Sequence, residues 1–153
     1  MTEKEQKYAQ LFKEAAALLD GESDLIANMA NLAALIHQTM EFWWTGFYIV
    51  RTGKDDAEQL VLGPFQGPIA CTRIALGRGV CGASWQRRET IIVPDVEKFP
   101  GHIACSSESR SEIVVPIFRD NKVTAVLDID SRHLNTFDET DARYLEQIVK
   151  LLN

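Results

Sequence analysis

No stretch of this chain approaches the ~20 consecutive apolar residues that a membrane-spanning helix needs. A secretory leader is missing as well: MTEKEQKYAQ at the N-terminus is polar and amphipathic, with no hydrophobic core. Positive charge is not in excess. The 16 Lys and Arg are outnumbered by 22 Asp and Glu, for a net charge of −6. That balance argues against nucleic acid or an anionic membrane as the main partner. Repeats, linkers and low-complexity segments are absent, and 153 residues fit one domain, 1–153. Cysteine is scarce and odd in number: three, which argues against a closed framework of structural bridges. These absences together predict a cytoplasmic protein.

What is present is a core-sized chain with an apolar fraction of 46%. A chain of this length buries roughly 68–70% of its unfolded surface and needs no disulfide or metal to fold. Thr2 and Glu5 make a T-x-x-E helix start, and Asp20-Gly21 a stop. A second helix is expected from Ser23 or Asp24 to Met40, with His37 in a surface or capping role. Phe42 to Arg51 (FWWTGFYIVR) and Gln59 to Phe65 read as a hairpin around Thr52–Asp56. Further elements are a short strand near Thr72–Ala75, a short helix Val80–Arg88 and a short strand Thr90–Val93. A second hairpin pairs Glu112–Phe118 with Val123–Asp130, and Thr136-x-x-Glu139 is the expected cap of the last helix. The order is not the βαβα alternation of a parallel sheet. It predicts an α+β fold: a central antiparallel sheet with helices on one face and active-site loops over the other.

All three cysteines, Cys71, Cys81 and Cys105, fall in one stretch broken by glycine and proline. In a reducing compartment, clustered thiols point to redox, catalytic or metal chemistry. The plainer alternative is three small buried hydrophobes. The second hairpin supplies the neighbours. Ile113, Val115 and Ile117 share one face of their strand; Val123, Ala125, Leu127 and Ile129 share one face of the other. For both sets to enter one core the loop must be odd, most simply Asp120-Asn121-Lys122. Glu112, Asp128 and Asp130 then project together from the opposite face. A solvated polar face is the alternative, but Val114, Val126 and Phe118 share that face and do not seek water. Three carboxylates under a lid repel one another, so at least one pKa should rise. On the first hairpin Trp44, Gly46 and Tyr48 share a face, with Trp43, Thr45 and Phe47 on the other; Gly46 predicts room for a ligand between two rings.

Four segments carry a resemblance: G-V-C-G-A-S-W (Gly79–Trp85), I-I-V-P-D-V (Ile91–Val96), H-I-A-C-x-S-x-S-x-S-E-I-V-V-P (His102–Pro116) and V-L-D-I-D-S (Val126–Ser131). With the W-x-G-F-Y strand, they make the chain similar to the free methionine-(R)-sulfoxide reductases, which are single GAF-domain enzymes. The resemblance implies Cys105 as nucleophile, Cys71 as resolving cysteine, and Cys81 as an auxiliary thiol. It implies that Glu112, Asp128 and Asp130 bind the ammonium and sulfoxide groups of free methionine-R-sulfoxide, and that Trp44 and Tyr48 hold its S-methyl end. It also implies thioredoxin as the reductant and no cofactor.

The chemistry suits these residues. A sulfoxide is a poor electrophile until its oxygen is protonated, so the site needs a neutral acid beside a thiolate. Two other readings compete. A GAF module that only senses a small molecule would use the same face, but such modules are usually fused to an output domain, none follows before Asn153, and a sensor has no use for three thiols. A metal site from His102, Cys105, Cys81 and Cys71 has the H-x-x-C spacing but no C-x-x-C partner, so no metal is expected. The sequence leaves homodimer formation open.

Overall fold

The computed structural model describes residues 1–102 and 108–152. Among them the chain runs α1 (Glu3–Leu19), α2 (Leu25–Met40), β1 (Trp44–Thr52), β2 (Glu58–Gln66), β3 (Arg73–Ala75), α3 (Gly79–Arg87), β4 (Ile91–Val93), β5 (Ser111–Arg119), β6 (Lys122–Ser131) and α4 (Glu139–Val149). The strands form one antiparallel sheet in the order β3-β2-β1-β6-β5-β4. None of the described helices is long and apolar enough to cross a membrane.

The two sheet faces bury separate cores. On one, α1, α2 and α4 pack against Phe47, Ile49, Ile113, Val115, Ile117, Ala125, Leu127 and Ile129. On the other, α3 and the loops around it cover Trp44, Tyr48, Val114, Val126 and the short edge strands. Each fully buried Leu, Ile or Phe in these layers contributes roughly 1.5–3 kcal/mol. The α+β architecture expected from the sequence is the one observed.

Helix starts follow their capping residues. Thr2 accepts the Glu5 amide at 3.1 Å, and Asp24 accepts that of Ala27 at 2.8 Å. His37 closes α2 through its carbonyl, and its Nδ1 lies 3.0 Å from the buried Thr45 hydroxyl at the start of β1. The last helix departs from expectation. Its cap is Asp138, in a reciprocal box with Asp141, rather than Thr136. Thr136 is engaged elsewhere: its hydroxyl lies 2.6 Å from that of Ser131 at the end of β6. Phe137 is buried in the helical core, which fixes the chain before Asp138 can begin the helix.

The β5–β6 hairpin also differs in detail. Arg119 pairs with Lys122, leaving a two-residue turn, Asp120-Asn121, with φ of 52° and 61°. Positive φ at both positions is the geometry of a type I′ hairpin turn. The odd count comes instead from a bulge: Phe118 pairs with Val123, but Ile117 pairs with Ala125, so Thr124 is the extra residue. The bulge moves Val123 off the face of Ala125 and into the core beneath α3. Beyond it, the register is the one that the two apolar faces demand.

Asp141 ties the first helix to the last. It accepts the Tyr8 hydroxyl at 2.6 Å, the Lys4 ammonium at 2.7 Å and the Asp138 amide at 2.9 Å. Asp141→Ala removes a cap and leaves the buried Tyr8 hydroxyl without an acceptor, so it should lower the unfolding free energy by roughly 2–4 kcal/mol. Tyr8→Phe should cost only about 0.5–1.5 kcal/mol, because Asp141 keeps its other donors. Chemical denaturation of the two variants measures both, and equal losses would contradict this account.

Candidate functional site

The site is built on adjacent cross-strand rows of the sheet face under α3. In one, Trp44 of β1 lies opposite Asp130 of β6, which lies opposite Glu112 of β5. In the next, Gly46 lies opposite Asp128, which lies opposite Val114. A third row holds Tyr48, Val126 and Pro116. Directly paired side chains sit about 4.5–5.5 Å apart at Cβ. The register therefore gathers the three acids and both aromatic residues that the sequence singled out. All five line one cleft, with about 590 Å³ of empty space partly open to solvent.

α3 closes the cleft from above. Its first turn contributes Gly79, Val80 and Cys81 to the lining, and Cys81 is a buried free thiol. One donor atom each from Cys81, Glu112 and Asp128 lies within 4.8 Å of the others. Cys71 is disulfide-bonded and does not titrate. It sits at the edge, on the segment leading into β3. Cys105 lies outside the described residues.

Burial sets the electrostatics. Glu112 and Asp128 are each 6% exposed, and Asp130 is half-buried. Loss of hydration pushes Glu112 well above the usual carboxylate range, and the neighbouring Asp128 and Asp130 charges push it further. Asp130 rises well above that range for the same two reasons, against the Ser109 hydroxyl that donates to its Oδ1 at 3.1 Å. Asp128 is also raised by burial, but hydrogen bonds from Glu112 and Cys81 favour its charged form and hold it down. Asp128 is thus the acid that keeps its charge most readily. Among the described residues its Oδ1 has no hydrogen-bond partner. Burial, then Asp128 and Glu112, raise the Cys81 thiol well above its ordinary value. His102 Nε2 approaches Glu112 Oε1 at 4.0 Å. Burial lowers the imidazole's pKa and raises that of Glu112, so both shifts disfavour a charged pair at this contact.

The aromatic wall is tighter than the sequence suggested. No gap for a ligand opens between the rings at Gly46. A Cβ there would strike Phe65 and meet the Trp44 ring at 2.6 Å. A Cβ at Gly67 would meet the same indole at 2.7 Å. Two glycines thus let the Trp44 ring lie flat, stacked on Phe65 at 5.2 Å and near Tyr48 at 6.1 Å between centroids. Both polar tips are anchored as well. Trp44 Nε1 donates to the Pro68 carbonyl and the Tyr48 hydroxyl to that of Cys71, each at 2.9 Å. These bonds pin the Cys71-bearing segment over the cleft.

Trp43 was expected to share a face with Thr45 and Phe47, opposite Trp44 and Tyr48. It lines the cleft instead, because β1 begins only at Trp44 and strand alternation does not govern the residue before it. Sequence reasoning also missed Arg78 and Ser109 in the lining. The signal for Arg78 was its place between Gly77 and Gly79, both with positive φ, at the start of α3. Ser109 was visible only as one member of a serine-rich loop.

Residues 22–152 match the GAF domain. GAF domain-containing protein A of Dictyostelium discoideum is 56% identical over 150 residues, covering 98% of this chain and 92% of that one. Free methionine-R-sulfoxide reductase of Saccharomyces cerevisiae is 42% identical over 156 residues, covering 98% and 86%. The X-ray structure of free methionine-R-sulfoxide reductase from Neisseria meningitidis in complex with its substrate superposes with a TM-score of 0.94 at 49% identity, over 99% of this chain and 89% of that one. With a GAF match over most of its length and relatives of this identity at nearly full coverage, the chain belongs to the GAF-domain family, among the free methionine-R-sulfoxide reductases.

Proposed function

We propose that this chain, acting as one GAF domain over residues 1–153, reduces free L-methionine-(R)-sulfoxide to methionine in the cytoplasm. The observation that carries the reading is the triad of buried Glu112 and Asp128 with half-buried Asp130, which hold their protons unequally. Asp128, charged and with an unpartnered oxygen, suits the substrate ammonium. Methionine inside a peptide offers only an uncharged amide there, which gives selectivity for the free amino acid. Glu112 or Asp130, kept protonated by burial, suits protonation of the sulfoxide oxygen. The indole of Trp44 and the ring of Tyr48 form an apolar wall for the S-methyl end.

In the proposed cycle, the Cys105 thiolate attacks the substrate sulfur as a carboxylic acid protonates the oxygen. The substrate's sulfur–oxygen bond then breaks as the protonated oxygen transfers to the Cys105 sulfur. The transient sulfur–sulfur bond is lost, and methionine departs, leaving Cys105 as a sulfenic acid. The Cys71 thiol attacks that sulfur, forming a disulfide and releasing water. A dithiol such as thioredoxin, at about −270 mV, resets the pair by exchange. Support for this pairing comes from Cys71 being disulfide-bonded while Cys81 is a free thiol. Cys81 then serves as an auxiliary thiol beneath the acids.

Reduced protein given free methionine-R-sulfoxide and no other reductant should yield roughly one methionine and lose two thiols per chain. Cys105→Ser should abolish methionine formation. Cys71→Ser should still make one equivalent and stall as the sulfenic acid, detectable by mass spectrometry. Unchanged sulfoxide with three surviving thiols would leave a ligand-binding GAF module as the better reading.

Proton occupancy gives a second test. Because Glu112 is raised in the folded state, its contribution to stability is fully present below the ordinary carboxylate pKa. It is lost as pH rises through the raised folded value. Glu112→Gln, which cannot ionise, should therefore melt higher than the parent at about pH 9, with the gain shrinking toward about pH 5. The same substitution should lower kcat/KM by about 10²–10⁴ if this carboxyl is the acid. A parent protein whose Tm is flat across that range would remove the basis for a protonated Glu112.

A further inference from the structure

The thiol of Cys81 does nothing essential in the cycle above, yet it is buried against two acids. Its Sγ, one oxygen of Glu112 and one of Asp128 lie within 4.8 Å of one another. Independently, Asp128 is nine-tenths buried and its Oδ1 finds no hydrogen-bond partner among the described residues. His102 Nε2 is 4.0 Å from Glu112 Oε1 on the same cleft wall. An imidazole nitrogen there is a common metal donor.

One thiolate, two carboxylates and an imidazole make a donor set for a borderline divalent cation. Magnesium and calcium ask for six or more oxygens and are poorly served here. Around tetrahedral zinc, with bonds of about 2.0–2.3 Å, ligand atoms stand roughly 3.3–3.8 Å apart. The cluster must therefore contract by about 1 Å, within reach of side-chain adjustment for Glu112 and His102. The cation would also offset the mutual repulsion of the acids once their protons are displaced.

We propose that the substrate-free protein binds one zinc-class cation through Cys81, Glu112 and Asp128, with His102 as the fourth ligand. The consequence for catalysis rests on the function proposed above: a cation on Glu112 and Asp128 competes with the sulfoxide for the same groups. Binding itself does not depend on that reading.

Cobalt(II) titration tests binding without turnover. The Cys71→Ser/Cys105→Ser variant retains Cys81 as its single thiol. It should develop thiolate-to-cobalt charge-transfer absorption that saturates at about one equivalent and is displaced by zinc. Adding Asp128→Asn should weaken cobalt affinity at least about tenfold. Cys81→Ser in the otherwise unaltered, reduced protein should lose the band although two other thiols remain. Persistence of the band in Cys81→Ser would place the metal on the other cysteines and overturn the site. So would a single-thiol variant that is folded by circular dichroism but shows no band.

Discussion

Ionisable groups are expensive to bury, and this fold buries two carboxyls and a thiol in one place with a third carboxyl at the edge. Burial also disfavours a charged His102 imidazole beside them. The acids respond by holding protons, so the site stores neutral acids beside one carboxylate that is better placed to ionise. That inequality arises from position. Asp128 lies between Glu112, Asp130 and Cys81, and receives the hydrogen bonds that favour its charge. In its two neighbours desolvation and repulsion prevail, in Asp130 against the hydrogen bond from Ser109. Substrate recognition and proton donation in the proposed reaction both follow from this division.

The arrangement depends on sheet register. A slip of one residue in either β5 or β6 would send that strand's acids to the helical core and its core-facing aliphatic residues to the cleft. The large apolar face under α1, α2 and α4 forbids that slip: Ile113, Leu127 and Ile129 are fully buried there. Hydrophobic packing on one side of the sheet therefore enforces an electrostatically costly cluster on the other. The helical face supplies stability, and the α3 face carries the acid cluster.

Much of this was legible in the sequence. Alternation along β5 and β6 identified the core set, and with it the shared face of Glu112, Asp128 and Asp130. Parity could not distinguish a three-residue loop from a two-residue turn with a bulge at Thr124, because both give the same register beyond the bulge. Val123 was misplaced for that reason alone. At α4 two overlapping cap signals competed, Thr136-x-x-Glu139 and Asp138-x-x-Asp141. Tertiary contacts of Thr136 and the burial of Phe137 decided between them, and local sequence holds neither. Trp43 was misread because alternation was applied one residue before the strand began.

Gly46 shows how a correct observation can carry the wrong consequence. A missing side chain between two aromatic residues does signal a close approach, but the group that approaches is the protein's own indole. With Gly67 on its other side, Trp44 lies against the sheet and reaches Pro68 through its N–H. Tyr48 reaches the Cys71 carbonyl in the same way. The aromatic wall therefore links two parts of the site that are distant in sequence: the acid rows of β6, which pair with β1, and the segment that carries Cys71. A ligand pressing on these rings would press on the backbone of Cys71 as well. Residues that contact the S-methyl end in the proposed function would thus also set where the resolving sulfur stands, and catalysis and recycling would share one rigid wall.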